Sequence, residues 1–123
     1  MTNRELEEIL QSTSDILFPA ELGEAKVKID GADVDGDTPL HVLIWQNDAE
    51  GAIKLIENGA PLNAPGDMGE TPLHIAILQN EIEVIKALLK AGARTDIISE
   101  FGKTALDRAI EQGINLSALL DSV

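Results

Sequence analysis

From residue 36 onward, apolar side chains fall into two kinds of cluster that alternate along the chain. The first kind is short: Leu40, Leu43 and Ile44, then Leu73, Ala76 and Ile77, each set at i, i+3 and i+4 behind a Thr-Pro pair. The second follows it: Ile53, Leu55 and Ile56, then Val84, Ile85, Leu88 and Leu89. Both spacings place one side of a helix toward a core. Thr38 and Thr71 offer an N-cap oxygen, and Pro39 and Pro72 sit at the first helical position, where the missing N–H and the preset φ cost nothing. The pattern predicts helix pairs, one over 39 to about 46 and 49 to 58, the other repeating it from residue 72. Asn47 and Asn80 stand at the turns inside the pairs and tolerate a left-handed backbone. Gly59 and Gly92 end the second helices as left-handed caps, and Gly51 weakens its helix by up to about 1 kcal/mol relative to alanine.

The pairs are copies of one unit. Gly69 Glu70 Thr71 Pro72 Leu73 His74 repeats Gly36 Asp37 Thr38 Pro39 Leu40 His41, and a worn third copy reads Gly102 Lys103 Thr104 Ala105 Leu106 Asp107. Positions 38, 71 and 104 are 33 residues apart. A fixed period of this size with a Thr-Pro-Leu-His start belongs to stacked helix-turn-helix units, and the chain resembles the ankyrin-repeat family over residues 36 to 123. The resemblance implies an all-α fold, an α-solenoid whose helix-turn-helix units are joined by β-hairpin-like fingers. It implies a single domain over 1–123: an N-terminal cap and degenerate repeat (1–35), repeats at 36–68 and 69–101, and a C-terminal capping repeat (102–123). It further implies that His41 and His74 are frame residues, bonding backbone and hydroxyl groups of neighbouring repeats.

The ends are less regular. Thr2 with Glu5 has capping-box spacing, and Leu6, Ile9 and Leu10 predict a short helix from about Asn3 to Gln11. Ser12 Thr13 Ser14 reads as a break, Ile16 Leu17 Phe18 Pro19 as a degenerate helix, and 26–37 as a finger. At the other end Ala105 replaces proline, Asp107 replaces histidine and Gly113 takes the turn position. A last helix is expected from about Leu116 to Asp121, with Asp107 and Arg108 where an inner repeat would face a neighbour.

Composition adds two constraints. Aromatic residues make up only 2% of the chain, so the core is built from Leu, Ile, Ala and Val, which suits thin helix pairs stacked side by side. Cysteine is absent, which removes disulfides, a thiolate nucleophile and cysteine zinc sites. No apolar run of 18 residues occurs and the charged start is a poor signal peptide, so the expectation is a soluble, cytoplasmic protein without membrane contact. Charge carries more: 22 acidic against 9 basic residues give a formal −13. Such a field repels nucleic acid and attracts cationic surfaces.

The sequence offers no catalytic constellation, and no cofactor or metal site is expected. The glycines at 36, 69 and 102 recur with the repeat and mark turns, not a phosphate loop. The run Asp30, Asp33, Asp35, Asp37 imitates a calcium loop, but the glycine and twelfth-position acid of an EF-hand would fall on Asp35 and His41. The expectation is therefore a non-enzymatic binding protein, and the resemblance implies a concave site formed by finger tips and first helices. The finger positions are Val34, Asp35 and Asp37; Asp67, Met68 and Glu70; and Glu100, Phe101 and Lys103. The first-helix positions are Trp45 and Gln46, Leu78 and Gln79, Glu111 and Gln112. Val34, Met68 and Phe101 then form an apolar row flanked by acids, with Trp45 and Leu78 behind. Two uses of that row stay open: an anchor for a partner, or a stack that merely holds the fingers together with Trp45 half-buried. The implied partner is a basic protein bound by a chain that is monomeric when free. Compact acidic proteins of this kind resemble bacterial immunity or antitoxin partners, and the alternative is a regulatory adaptor or scaffold subunit for an enzyme.

Overall fold

The computed structural model describes residues 5–17 and 27–121, and Thr2, Asn3, Phe18, Pro19 and the start of the first finger at residue 26 lie outside them. The helices are α1 (Leu6–Gln11), α2 (Ser14–Leu17), α3 (Pro39–Trp45), α4 (Ala49–Glu57), α5 (Pro72–Leu78), α6 (Ile82–Lys90), α7 (Ala105–Gln112) and α8 (Leu116–Asp121). The described residues contain no strand. None of these helices is long enough to be stable alone in water, so each exists because it packs.

The packing is a two-row stack. Within units α3 lies on α4 and α5 on α6; between units α3 meets α5 and α5 meets α7, while α4 meets α6 and α6 meets α8. At the N-terminal end α1 rests on α4 and α2 on α3. α3 and α5 are thus each enclosed by a neighbour on each side and their own second helix behind. The apolar spacing alone marks Leu73, Ala76 and Ile77 as the inner face of α5; the structure buries every residue from Pro72 to Ile77, and likewise Pro39 to Ile44 in α3. Val42 and Ile75 therefore belong to the core along with the expected positions. Only the last residue of each helix, Trp45 or Leu78, emerges.

The turns follow the expected chemistry. Asn47 and Asn80 have φ of 58° and 56°, and Gly59 and Gly92 are left-handed behind the second helices. Fingers close by a bond pair that recurs at every period. The N–H groups of Asp33, Gly66 and Ser99 donate to the carbonyls of Asp37, Glu70 and Lys103 at 2.9–3.0 Å, and those of Gly36, Gly69 and Gly102 donate back to residues 33, 66 and 99. The three returning residues are glycines because their φ lies between 70° and 88°.

Two histidines tie unit to unit. Thr38 N–H donates to His41 Nδ1 at 3.0 Å, and the Thr38 hydroxyl lies 2.9 Å from the same nitrogen. A carbonyl can only accept, so Nε2 carries the hydrogen and donates to Glu70 O at 3.0 Å. His74 repeats the arrangement on Thr71 and Lys103 O. The calcium-like acids serve the finger as well: Asp33 Oδ1 accepts the N–H groups of Asp35 and Asp37.

Burial pushes the His41 imidazole below its ordinary 6.5, opposed by the Glu70 carbonyl and the Asp37 carboxylate. The unfolded chain takes up a proton at the ordinary value while the folded chain resists it. The stability contributed by neutral His41 is therefore complete above 6.5 and declines as pH falls from there toward the depressed folded value. Denaturant midpoints measured from about pH 7 down to about pH 5, above the carboxylate range, should fall more steeply for the wild type than for His41→Gln. Leu73 is fully buried between neighbours whereas Leu120 is half exposed. Leu73→Ala should cost about 2 to 5 kcal/mol and Leu120→Ala clearly less, and the opposite order in denaturant titrations would contradict the repeat register.

Candidate functional site

Because α3 and α5 each release only their final side chain, Trp45 and Leu78, the fingers and these helix ends enclose a groove. Its cavity of about 590 Å³ is walled by Trp45, Met68, Leu78 and Phe101, with Asp37, Asp67, Glu70, Lys103 and Arg108 around them. The four apolar side chains are each roughly half exposed. A concave, mainly apolar cavity of this size with a few polar groups has the dimensions of a binding site.

Eight of the residues expected at the surface come together here: Asp37, Trp45, Asp67, Met68, Glu70, Leu78, Phe101 and Lys103. Val34, Asp35, Gln46, Gln79, Glu100, Glu111 and Gln112 do not line the cavity. Val34 is the clearest departure. Its side chain is fully exposed, so it neither stacks on Met68 nor extends the apolar row. Hydrogen bonds join the fingers along the stack. Asp67 N–H donates to Asp37 Oδ1 at 3.0 Å, and Glu100 N–H donates to the carbonyl of Met68 at 2.9 Å. Met68 reaches that position with a φ of 59°, a left-handed backbone that costs a non-glycine residue strain.

Glu70 is the second departure. Its register position predicts an exposed tip, yet the side chain is only 8% exposed, and Oε1 accepts from an Arg108 guanidinium nitrogen at 2.7 Å. The pair is single-toothed: Glu70 Oε2 and Arg108 Nε are buried with no hydrogen-bond partner among the described residues. Glu70 Oε2 stands 3.9 Å from His74 Nε2, whose hydrogen already points at Lys103 O. The Arg108 guanidinium also lies over the Phe101 ring, 5.4 Å from its centroid, within cation–π range. Arg108 is the wall residue that sequence reasoning left out of the groove. Its signal was register: positions 42, 75 and 108 carry Val, Ile and Arg, and an arginine where earlier units bury an aliphatic side chain calls for an internal carboxylate.

Electrostatics divides the groove. Lys103 Nζ is 2.6 Å from Glu111 at one end, so both cations of the wall are paired within the chain. At the other end Asp37 and Asp67 form no salt bridge among the described residues. The Asp35 carboxyl is raised above the usual range, chiefly by the charge of Asp67, then by desolvation and by Asp33 and Asp37. This end is a crowd of like charges. Among the described residues no three His, Asp or Glu side chains gather as a metal site, and no helix is long and apolar enough to cross a membrane.

Residues 55–122 match a family model described as ankyrin repeats in three copies, and residues 27–76 match one described as ankyrin repeats in many copies. No curated protein matches the chain. Ankyrin repeats are in general protein–protein interaction modules and typically not enzymes.

Breaking the groove's internal ion pair should be costly. Arg108→Ala leaves the Glu70 carboxylate buried beside a helix stack without its arginine partner, and the expected loss is about 3 kcal/mol, the low end for a buried pair because Arg108 keeps some solvent contact. Denaturant midpoints of Arg108→Ala and of the double variant with Glu70→Gln should show it, the double variant recovering part of the loss.

Proposed function

We propose, from the premise that this chain belongs to the ankyrin-repeat family, that it is a non-enzymatic module which binds a partner protein with a basic surface, seating it in the concave groove. The observation that carries the reading is the groove itself. It puts four half-exposed apolar side chains beside Asp37 and Asp67, which form no salt bridge among the described residues, on a protein of net charge −13. Large apolar side chains in a concavity are what anchors of protein interfaces look like, and the flanking acids select the charge of what they meet. The same field disfavours nucleic acid. The role this charge favours is neutralisation, the acidic groove occluding the basic working surface of a toxin such as a nuclease, with the inhibitor a monomer in the cytoplasm until it binds. Finger and helix-end residues outside the cavity, Asp35 and Glu100 among them, form the rim of this surface.

The division of labour is testable by surface-based kinetics across a salt series, with the partner recovered by affinity purification. Association should be fast at low salt and slow steeply as ionic strength rises, while dissociation changes little. Trp45→Ala, Met68→Ala and Phe101→Ala should raise the off-rate, by about 2 kcal/mol where the residue is an anchor. Glu57→Gln and Lys90→Ala, on the second helices behind the stack, should change neither rate. Convex variants that weaken binding, with groove variants that do not, would place the interface on the other face.

A further inference from the structure

The Glu70, Phe101 and Arg108 side chains form a small recognition unit in the groove wall. An aromatic face lies 5.4 Å from a guanidinium, and a carboxylate holds that guanidinium at 2.7 Å. Other residues that line the same cavity repeat two parts of the unit and lack the third. Trp45 is about half exposed, and Asp37 and Asp67 offer carboxylates with no cation against them among the described residues. Asp37 uses Oδ1 to cap Asp67 N–H, which fixes the carboxylate in place. Met68 and Leu78 line the same cavity, apolar surface suited to the methylene stem of a long side chain.

We propose that the groove is an arginine-recognition site, in which a guanidinium supplied by the partner stacks on Trp45 and pairs with Asp37 and Asp67, its stem lying along Met68 and Leu78. The proposal rests on the groove reading and narrows it, naming the partner's contact as an exposed arginine flanked by apolar residues. Arginine is favoured over lysine because a flat, weakly hydrated, five-donor group can stack on an indole and reach two carboxylates at once, whereas an ammonium is a point charge that keeps its water. Arg108 is the precedent inside the molecule for such a group beside an aromatic ring. The 590 Å³ cavity exceeds what one side chain fills and leaves room for its apolar neighbours.

Trp45 is the only tryptophan, so its fluorescence, together with its indole N–H resonance, reports on this wall alone. The probes are three blocked tripeptides, acetyl-Leu-X-Leu-amide with X arginine, citrulline or lysine, titrated into the full chain. The arginine peptide should shift Trp45 and bind about tenfold more tightly than the citrulline peptide, its uncharged near-isostere, and a few-fold more tightly than the lysine peptide. Asp37→Asn and Asp67→Asn should remove most of the difference between arginine and citrulline; Asp37→Asn keeps an oxygen for Asp67 N–H, so the finger should hold. Equal binding of the arginine and lysine peptides would leave a plain charge site and overturn the proposal, as would equal binding of arginine and citrulline or no response of Trp45 to any peptide. Those results leave the groove reading to be judged separately by the partner's off-rate from Trp45→Ala and Met68→Ala.

Discussion

Everything in this stack depends on one hydrogen bond made twice, from a buried imidazole to a backbone carbonyl 29 residues ahead. The short helices cannot stand alone, and the fingers contain no strand ladder, so a contact has to fix each finger against the unit before it. The imidazole does this from inside. Its Nδ1 takes the N–H of the N-cap threonine, which sets the tautomer, and its Nε2 hydrogen then points to the carbonyl of the next finger. The contact also requires close approach, and Gly66 allows it: a Cβ there would collide with Asp37 Oδ1 and lie 2.8 Å from His41 Nε2. With finger and helix locked together, the helix end and the finger tip face each other at a set distance, and the groove is the space between.

The groove's wall shows how a frame residue becomes part of a surface. Position 37 of the first finger, and its equivalents 70 and 103, carry Asp, Glu and Lys, and all three accept the same finger-closing bond through their carbonyls. The backbone role is constant and the side chains are free to differ. Asp37 bonds the next finger and leaves an oxygen to the groove, Glu70 turns inward to Arg108, and Lys103 turns outward to Glu111. Three copies of one position thus grade the groove from acidic to internally neutralised.

Most of the frame was legible because period and local chemistry agree: Thr-Pro before Leu-His sets the helix start, and Asn or Gly sets each turn. Trp45, Leu78, Met68 and Phe101 could be placed around one concavity by adding 33 and knowing which face a finger overlies. Val34 could not, because adding 33 to 34 leads to Asp67 and then Glu100, whereas the position equivalent to Met68 and Phe101 is Asp35; the apolar residue of the first finger stands one place out of register. Glu70 and Arg108 were hidden for another reason. They pair across 38 residues, and comparing like positions marks Arg108 as out of pattern without pointing to the carboxylate that it meets. Val42 and Ile75 were missed as core because amphipathic spacing presumes a wet side, and a helix enclosed by three neighbours has very little of one.

The 33-residue period belongs to the hydrogen bonds as well as to the letters, since donors 33, 66 and 99 and the two imidazoles all repeat at that interval. A block of 33 residues could therefore be duplicated or removed with its donors and acceptors still meeting partners of the same kind. The protein's length is in this sense a variable and not a design constant: gene rearrangement in whole units would lengthen or shorten the groove by one finger, changing how many side chains of a partner are read while leaving the grammar of the frame untouched.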